Sequence, residues 1–237
     1  MVIEYRIDPA IFQLCPGYRR GLLLAQELRN GAAPSALGVG LRAQEASLRS
    51  EIRGNPAEYP RIAAWRDAYR RFGARPSDFR SSVEALARRV LRGDDLPSIN
   101  ALVDIGNLIS LRYLMPVGVH PVPPGSAPLA LRLSAPEDRF SPPDGAPQEQ
   151  PERGEVVFAQ DAAVLTRRWT WRQSALTLTL PDTTAVFFNL DALEIVPNDV
   201  LAAAAREVEQ LVREYCGGQI QSTVLSAVNT SWQPPSL

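Results

Sequence analysis

Leu96-Pro-Ser-Ile-Asn-Ala-Leu-Val-Asp-Ile-Gly-Asn-Leu-Ile-Ser-Leu-Arg-Tyr-Leu-Met115 reads as a helix that is apolar almost all round yet carries one polar stripe. At about 100° per residue, Asn100, Asp104 and Asn107 fall on one narrow face. A helix buried on most sides excludes two amides and a carboxylate unless partners satisfy them, because each unpaired group costs roughly 1–3 kcal/mol. The stripe therefore faces either a polar network that holds neighbouring loops and backbone, or a ligand.

On the N-terminal side, alternation predicts strands over Val2–Ile7 and around Ile11–Leu14, then an apolar run Gly21–Ala25 and a helix over Leu41–Ile52. Ile62, Trp65, Tyr69 and Phe72 recur at helical spacing, and Gly73 supplies a stop. Ser81-Ser-Val-Glu84 reads as a capping box opening a second helix that Gly93 ends. On the C-terminal side, ten of the 21 prolines fall between Pro116 and Pro151, which excludes regular helix and leaves only short strands such as Leu129–Leu133. A meander follows over Glu155–Ala159, Ala163–Arg167, Ser174–Leu180 and Thr184–Leu190. Asn198 caps a helix with an apolar stripe from Val200 to Tyr215; Gly217-Gly218 closes it, and Ile220–Val228 reads as a returning strand. The fold class is α+β, with mixed or antiparallel sheets flanked by helices. Residues 1–60 are expected as strands and a helix packed on a main domain, 61–237, that contains the proline-rich excursion 116–151.

Composition removes several chemistries. All 25 basic side chains are arginine, so Schiff-base, P-loop-lysine and lysine general-base enzymes are excluded. One histidine, His120, read here as a loop residue, excludes a histidine metal cluster and gives a hydrolytic triad poor support. Cys15 and Cys216 form no ligand-spaced pair and are expected to be reduced and buried. No run approaches the ~20 apolar residues of a membrane span, and Met1–Ile7 lacks the pattern of a signal peptide, so the expected location is the cytoplasm. The net charge is −1, but Arg61 to Arg92 holds nine arginines against Asp67, Asp78 and Glu84, as a solvated helix surface or a grip on RNA phosphates would. In Thr166-Arg-Arg-Trp-Thr-Trp-Arg-Gln-Ser174, two tryptophans alternate with three arginines. These are either core aromatics of a hairpin or stacking faces and phosphate forks for a splayed RNA end.

Between Ile62 and Asp191, the motifs Trp65-Arg-Asp-Ala-Tyr69, Ser82-Val-Glu-Ala-Leu86, Leu96-Pro-Ser-Ile-Asn100, Leu102-Val-Asp-x-x-Asn107, Gly154-Glu155 and Arg168-Trp-x-Trp-Arg-Gln173 together carry a resemblance. They are similar to the B3/B4 editing domain of the bacterial phenylalanyl-tRNA synthetase beta subunit, and most of all to freestanding members of that family. The resemblance implies a hydrolase that deacylates a mischarged aminoacyl-tRNA at its acceptor end, with no metal or organic cofactor. It places Asn107 in the editing pocket. Where the family has a pocket histidine, eleven residues on, this chain has Gly118, with His120 two residues later. No residue here is matched to the glutamate that reads a tyrosine hydroxyl.

An aminoacyl ester is already activated, so a positioned water, donors for the developing oxyanion and a held ribose suffice. On this reading Asn107 and a backbone N–H at Gly118 orient the ester, and Asp104 holds Asn107 or the substrate amine. Asn100 and Ser110, on the same pocket helix, are expected to contact the substrate or the RNA. Arg168 or Arg172 meets the terminal phosphate beside Trp169, Trp171 and Gln173, while Arg66, Arg70, Arg88 and Arg89 form a patch leading to the mouth. Asp104 and Glu155 would suit a cationic side chain. Tyrosine, a non-protein phenylalanine analogue and an arginine mimic such as canavanine stay open as the amino acid, as does the oligomeric state. The alternatives are a non-catalytic RNA-binding module of the same fold and an amino-acid sensor.

Overall fold

A computed structural model describes residues 3–235, in which six α-helices and two sheets pack in layers. The expected first strand residue, Val2, lies outside the described residues. The strands are β1 (Tyr5–Ile7), β2 (Arg19–Gln26), β3 (Val117–Pro121), β4 (Leu129–Leu133), β5 (Arg139–Phe140), β6 (Val156–Gln160), β7 (Ala163–Arg167), β8 (Arg172–Gln173), β9 (Val186–Ala192), β10 (Gln219–Leu225) and β11 (Ser231–Trp232). The helices are α1 (Pro9–Leu14), α2 (Ser35–Glu51), α3 (Pro60–Arg71), α4 (Ser82–Leu91), α5 (Ala101–Tyr113) and α6 (Asn198–Tyr215). One sheet runs β11-β1-β4-β6-β7-β5, with β8 also paired to β7; the other runs β10-β2-β9-β3 and is antiparallel throughout. The class is α+β with mixed and antiparallel sheets.

Period-two alternation sorts the second sheet into two faces. Arg20, Asn189, Asp191, Gly118 and His120 share one face, directed at the first sheet, where Tyr5 bonds Asn189 and Phe158 meets the His120 ring edge-on at 5.2 Å. The opposite face lies under α5 and α6, and the approach is close: a Cβ on Gly106 would stand 2.7 Å from a Val119 methyl, so only glycine lets α5 settle on β3. Strands β1 and β2 each join a different sheet, which ties residues 1–60 into both layers.

Several local expectations change. Ile11–Leu14 is helical, because Asp8 caps the Ala10 N–H and Pro9 sits in the first turn, where its missing donor costs nothing. The capping box does not close. Ser81 occupies the N-cap position without a side-chain cap bond, and Glu84 is drawn off by Arg66 and Arg88. The proline-rich excursion contributes β3 as well as β4, so His120 lies in a strand rather than a loop. Ser174–Leu180 is not a meander strand: a 3-10 turn over Ala175–Thr177 leads into an irregular extended segment. Helix α5 starts five residues later than the apolar pattern suggests, since Asn100 is its N-cap and Pro97 stands in the approach.

Candidate functional site

Residues of both sheets, of α4 and α5 and of the β7–β8 hairpin line a cleft of about 800 Å³. Its floor is polar. Arg20 is fully buried and gives Nε to Asp191 Oδ1 at 2.8 Å, Nη2 to the same oxygen at 2.7 Å and Nη1 to the Tyr5 hydroxyl at 2.5 Å. Tyr5 in turn donates to Asn189 at 3.0 Å, and the Tyr18 hydroxyl donates to Asp191. A bare Asp191 carboxylate here would be costly; burial raises its pKa and the Arg20 guanidinium pulls it back.

His120 faces the same space. Desolvation, reinforced by the Arg20 charge, lowers its imidazole from 6.5 to about 3, so the ring is neutral at physiological pH. The Thr177 hydroxyl donates to the Leu165 carbonyl at 3.4 Å, which leaves its oxygen to accept from His120 Nδ1 at 3.3 Å. That assignment puts the lone pair on Nε2. A Cβ on Gly118 would stand 2.9 Å from this Nε2, so the glycine is what makes room for the imidazole. Residues 118 and 120 share a strand face, and the two side chains would compete for one place.

The polar stripe of α5 divides. Asn107 is half-buried, borders the cleft, and its amide has no protein hydrogen bond among the described residues. Asn100 does not line the cleft: its Oδ1 accepts from the Val103 N–H at 3.1 Å and its Nδ2 donates to the Thr179 carbonyl at 2.8 Å. Asp104 is likewise consumed, accepting from Ser98 Oγ at 2.6 Å and from the Ile99 N–H at 3.0 Å, so it holds neither Asn107 nor an amine. Ser110 donates to the Met115 carbonyl at 2.8 Å and finishes the helix. Asn100 thus satisfies an otherwise orphaned N–H of the first turn, while Asp104 and Ser110 tie down the chain just before and just after the helix.

The Trp/Arg segment is a hairpin turn. Arg168 and Trp169 both take left-handed backbone, with φ of 43° and 64°, a conformation that costs a bulky residue roughly 1–2 kcal/mol. Glu155 clamps the turn by accepting from Arg167 Nε and Nη2 and from the Arg168 N–H, all within 3.0 Å, and Gly154 (φ 83°) sets it up. Glu155 does not line the cleft, and neither does Arg168, whose guanidinium lies over the Phe79 ring at 3.5 Å. Trp169 is driven into the core against Trp65, with one edge on the cleft; Trp171, Arg172 and Gln173 border the cleft directly. Gln173 donates to the Val119 carbonyl at 3.0 Å.

The expected arginine patch is also divided. Arg66 and Arg88 converge on one buried carboxylate oxygen of Glu84, at 2.8 and 2.9 Å, and Arg70 pairs with Asp67 on the surface. Arg89, Arg92 and Arg172 stand at the cleft rim instead. Their partners, the Asp95 carbonyl for Arg89, Asp94 for Arg92, and Asp144 and Glu149 for Arg172, are surface contacts of the kind worth little and easily exchanged. Sequence reasoning misses Arg20, Asn189 and Asp191 because Arg20 reads with Arg19 as the polar start of a strand, and Asn189 and Asp191 are two polar residues in the otherwise apolar β9. The alternation that put Arg20 and Asp191 in register was the available signal.

Among the described residues, no group of three or more His, Cys, Asp or Glu is placed to hold a metal ion, and no helix is long and apolar enough to cross a membrane. Both cysteines are buried and unpaired, and burial pushes the Cys216 thiol up to about 11.

Among solved structures, the chain is similar to an N-terminal fragment of the phenylalanyl-tRNA synthetase beta-subunit from Pyrococcus horikoshii, at 12% identity and a TM-score of 0.44. The match covers 94% of this chain and 54% of that one, so the chain spans about half the length of that fragment. No curated protein matches it. Residues 64–217, well over half of the sequence, match the B3/4 domain, and the chain belongs to the B3/4 domain family.

Proposed function

We propose that the cleft hydrolyses the ester of a mischarged aminoacyl-tRNA. The observation that carries this reading is the pairing of two unengaged polar groups, the Asn107 amide and His120 Nε2, on the wall of one deep cleft with arginines at its rim. In this scheme the imidazole lone pair orients a water toward the ester carbonyl, and the Asn107 N–H groups stabilise the oxygen on which charge develops. The bond between the carbonyl carbon and the ribose oxygen then breaks. The water supplies hydroxide to the acyl group and a proton to the ribose, releasing amino acid and a free 3′ end. No nucleophilic side chain is needed, which fits a cleft wall without lysine or cysteine.

His120 takes over the place that the family resemblance gives to position 118. Arg89, Arg92 and Arg172 are the phosphate partners on this reading, in place of Arg168, Arg66 and Arg88.

A deacylation screen over purified tRNAs, each charged with cognate, near-cognate and non-protein amino acids, tests the proposal. At least one mischarged tRNA is expected to be cleared well above the spontaneous rate. Clearance of none, across the whole panel, would overturn it. With the best substrate, Asn107→Ala is expected to reduce kcat about 10²-fold, the size of a lost oxyanion donor, with an unchanged melting temperature. An unfolded variant, or full activity per folded molecule, would make Asn107 structural.

A further inference from the structure

The segment from the 3-10 turn onward is inverted. Thr177 and Thr179 are buried, at 1% and 6% exposure, while Leu176, Leu178 and Leu180 stand out at 58%, 41% and 54%. An extended segment on a folded surface ordinarily turns its leucines inward, because water is where they cost most. Here the threonines anchor it. Thr177 bonds His120 and Leu165, Thr179 Oγ1 donates to the Val119 carbonyl at 3.0 Å, and the Thr179 carbonyl accepts from Asn100.

Ile99, 54% exposed, stands beside this segment at the cleft mouth, with its own N–H fixed by Asp104. Asn100 and Asp104, which do not line the cleft, thus act as struts: Asn100 holds the leucine segment and Asp104 holds Ile99. Ile99, Leu178 and Leu180 all border the mouth, and Leu176 continues the row, so four of the nine large apolar side chains exposed among the described residues gather on one lip. The rim also carries Arg89, Arg92 and Arg172, whereas this lip is uncharged.

We infer that the Ile99–Leu178–Leu180 lip is a shelf for the terminal nucleobase of the RNA whose acyl end enters the cleft. This rests on the proposed function and adds the base to it. A strand end offers a charged backbone and an apolar, flat base side by side, and a mouth holding arginines together with rigidly presented aliphatic side chains matches that pair. A protein partner or second copy would need no arginine rim beside the shelf.

The test is fluorescence anisotropy with 5′-labelled CCA trinucleotide RNA and with the same RNA lacking its 3′-terminal base. The unmodified protein is expected to bind the complete trinucleotide at least about fivefold more tightly. Leu178→Ser/Leu180→Ser, both at exposed positions, is expected to erase that preference while keeping the affinity for the abasic RNA. Arg89→Ala/Arg172→Ala is expected to weaken both ligands alike.

A preference that survives the leucine substitutions, or no preference in the unmodified protein, would overturn the shelf. So would sedimentation showing a dimer that the serines dissociate, which would assign the lip to a second copy. If esters are cleared in the screen without base preference, the shelf falls alone. If neither RNA binds and no ester is cleared, the proposed function falls with it.

Discussion

Arg20→Met is expected to cost about 3–5 kcal/mol of folding free energy, because it strands the Asp191 carboxylate at the cleft floor without its cation. For a chain of this size that corresponds to a fall in melting temperature on the order of 10 °C. Urea unfolding measures it. The double substitution Arg20→Met/Asp191→Leu is expected to recover a large part of the loss, since it removes both charges and leaves only the Tyr18 hydroxyl short of its acceptor. A single substitution costing under about 1 kcal/mol would show that water, rather than Arg20, balances Asp191.

The second large effect concerns His120. His120→Phe keeps a flat ring against Phe158 but removes the Nε2 lone pair, and is expected to lower kcat by about 10²–10³-fold with little change in the Michaelis constant. Because burial holds the imidazole at about 3, kcat/KM of the unmodified protein is expected to show no histidine limb between pH 5 and 8. A limb near 6.5 that disappears in the variant would mean that the ring is hydrated in the working state.

The same shift enters stability. The unfolded chain takes up its histidine proton near 6.5 and the folded chain only near 3, so the contribution is fully present above 6.5 and is lost as pH falls toward 3. At about 1.4 kcal/mol per pH unit this amounts to at most about 5 kcal/mol, and His120→Phe is expected to flatten that slope.

How much of this was legible in the sequence follows from how local each cause is. Helix periodicity around Trp65 and Tyr69, the glycine stops at Gly73, Gly93 and Gly217, and the returning strand β10 were readable because chain neighbours specify them. The resemblance points to α5 and the β7–β8 hairpin, and both border the cleft.

Which polar residue of α5 meets the cleft was not readable. Asn100, Asp104 and Asn107 share a face in sequence, but the helix begins only at Ala101, and the first two are spent on its N-terminus. Arg168 and Glu155 looked like binding residues because the left-handed turn that directs them inward, on φ values unusual for arginine and tryptophan, has no composition signature. The prolines flanking His120 argue for a loop, yet β3 is an edge strand, where proline is tolerated.

The central claim, that the cleft between Asn107 and His120 receives the ester, is tested most directly by a crystal structure with a non-hydrolysable analogue. Adenosine carrying an amino acid through a 3′-amide, with the amino acid chosen by the deacylation screen, serves the purpose. The account predicts the amide carbonyl within hydrogen-bond reach of the Asn107 side chain, with a water held between its carbon and His120 Nε2. An analogue seated elsewhere, or in the cleft with its carbonyl turned away from both residues, would contradict it.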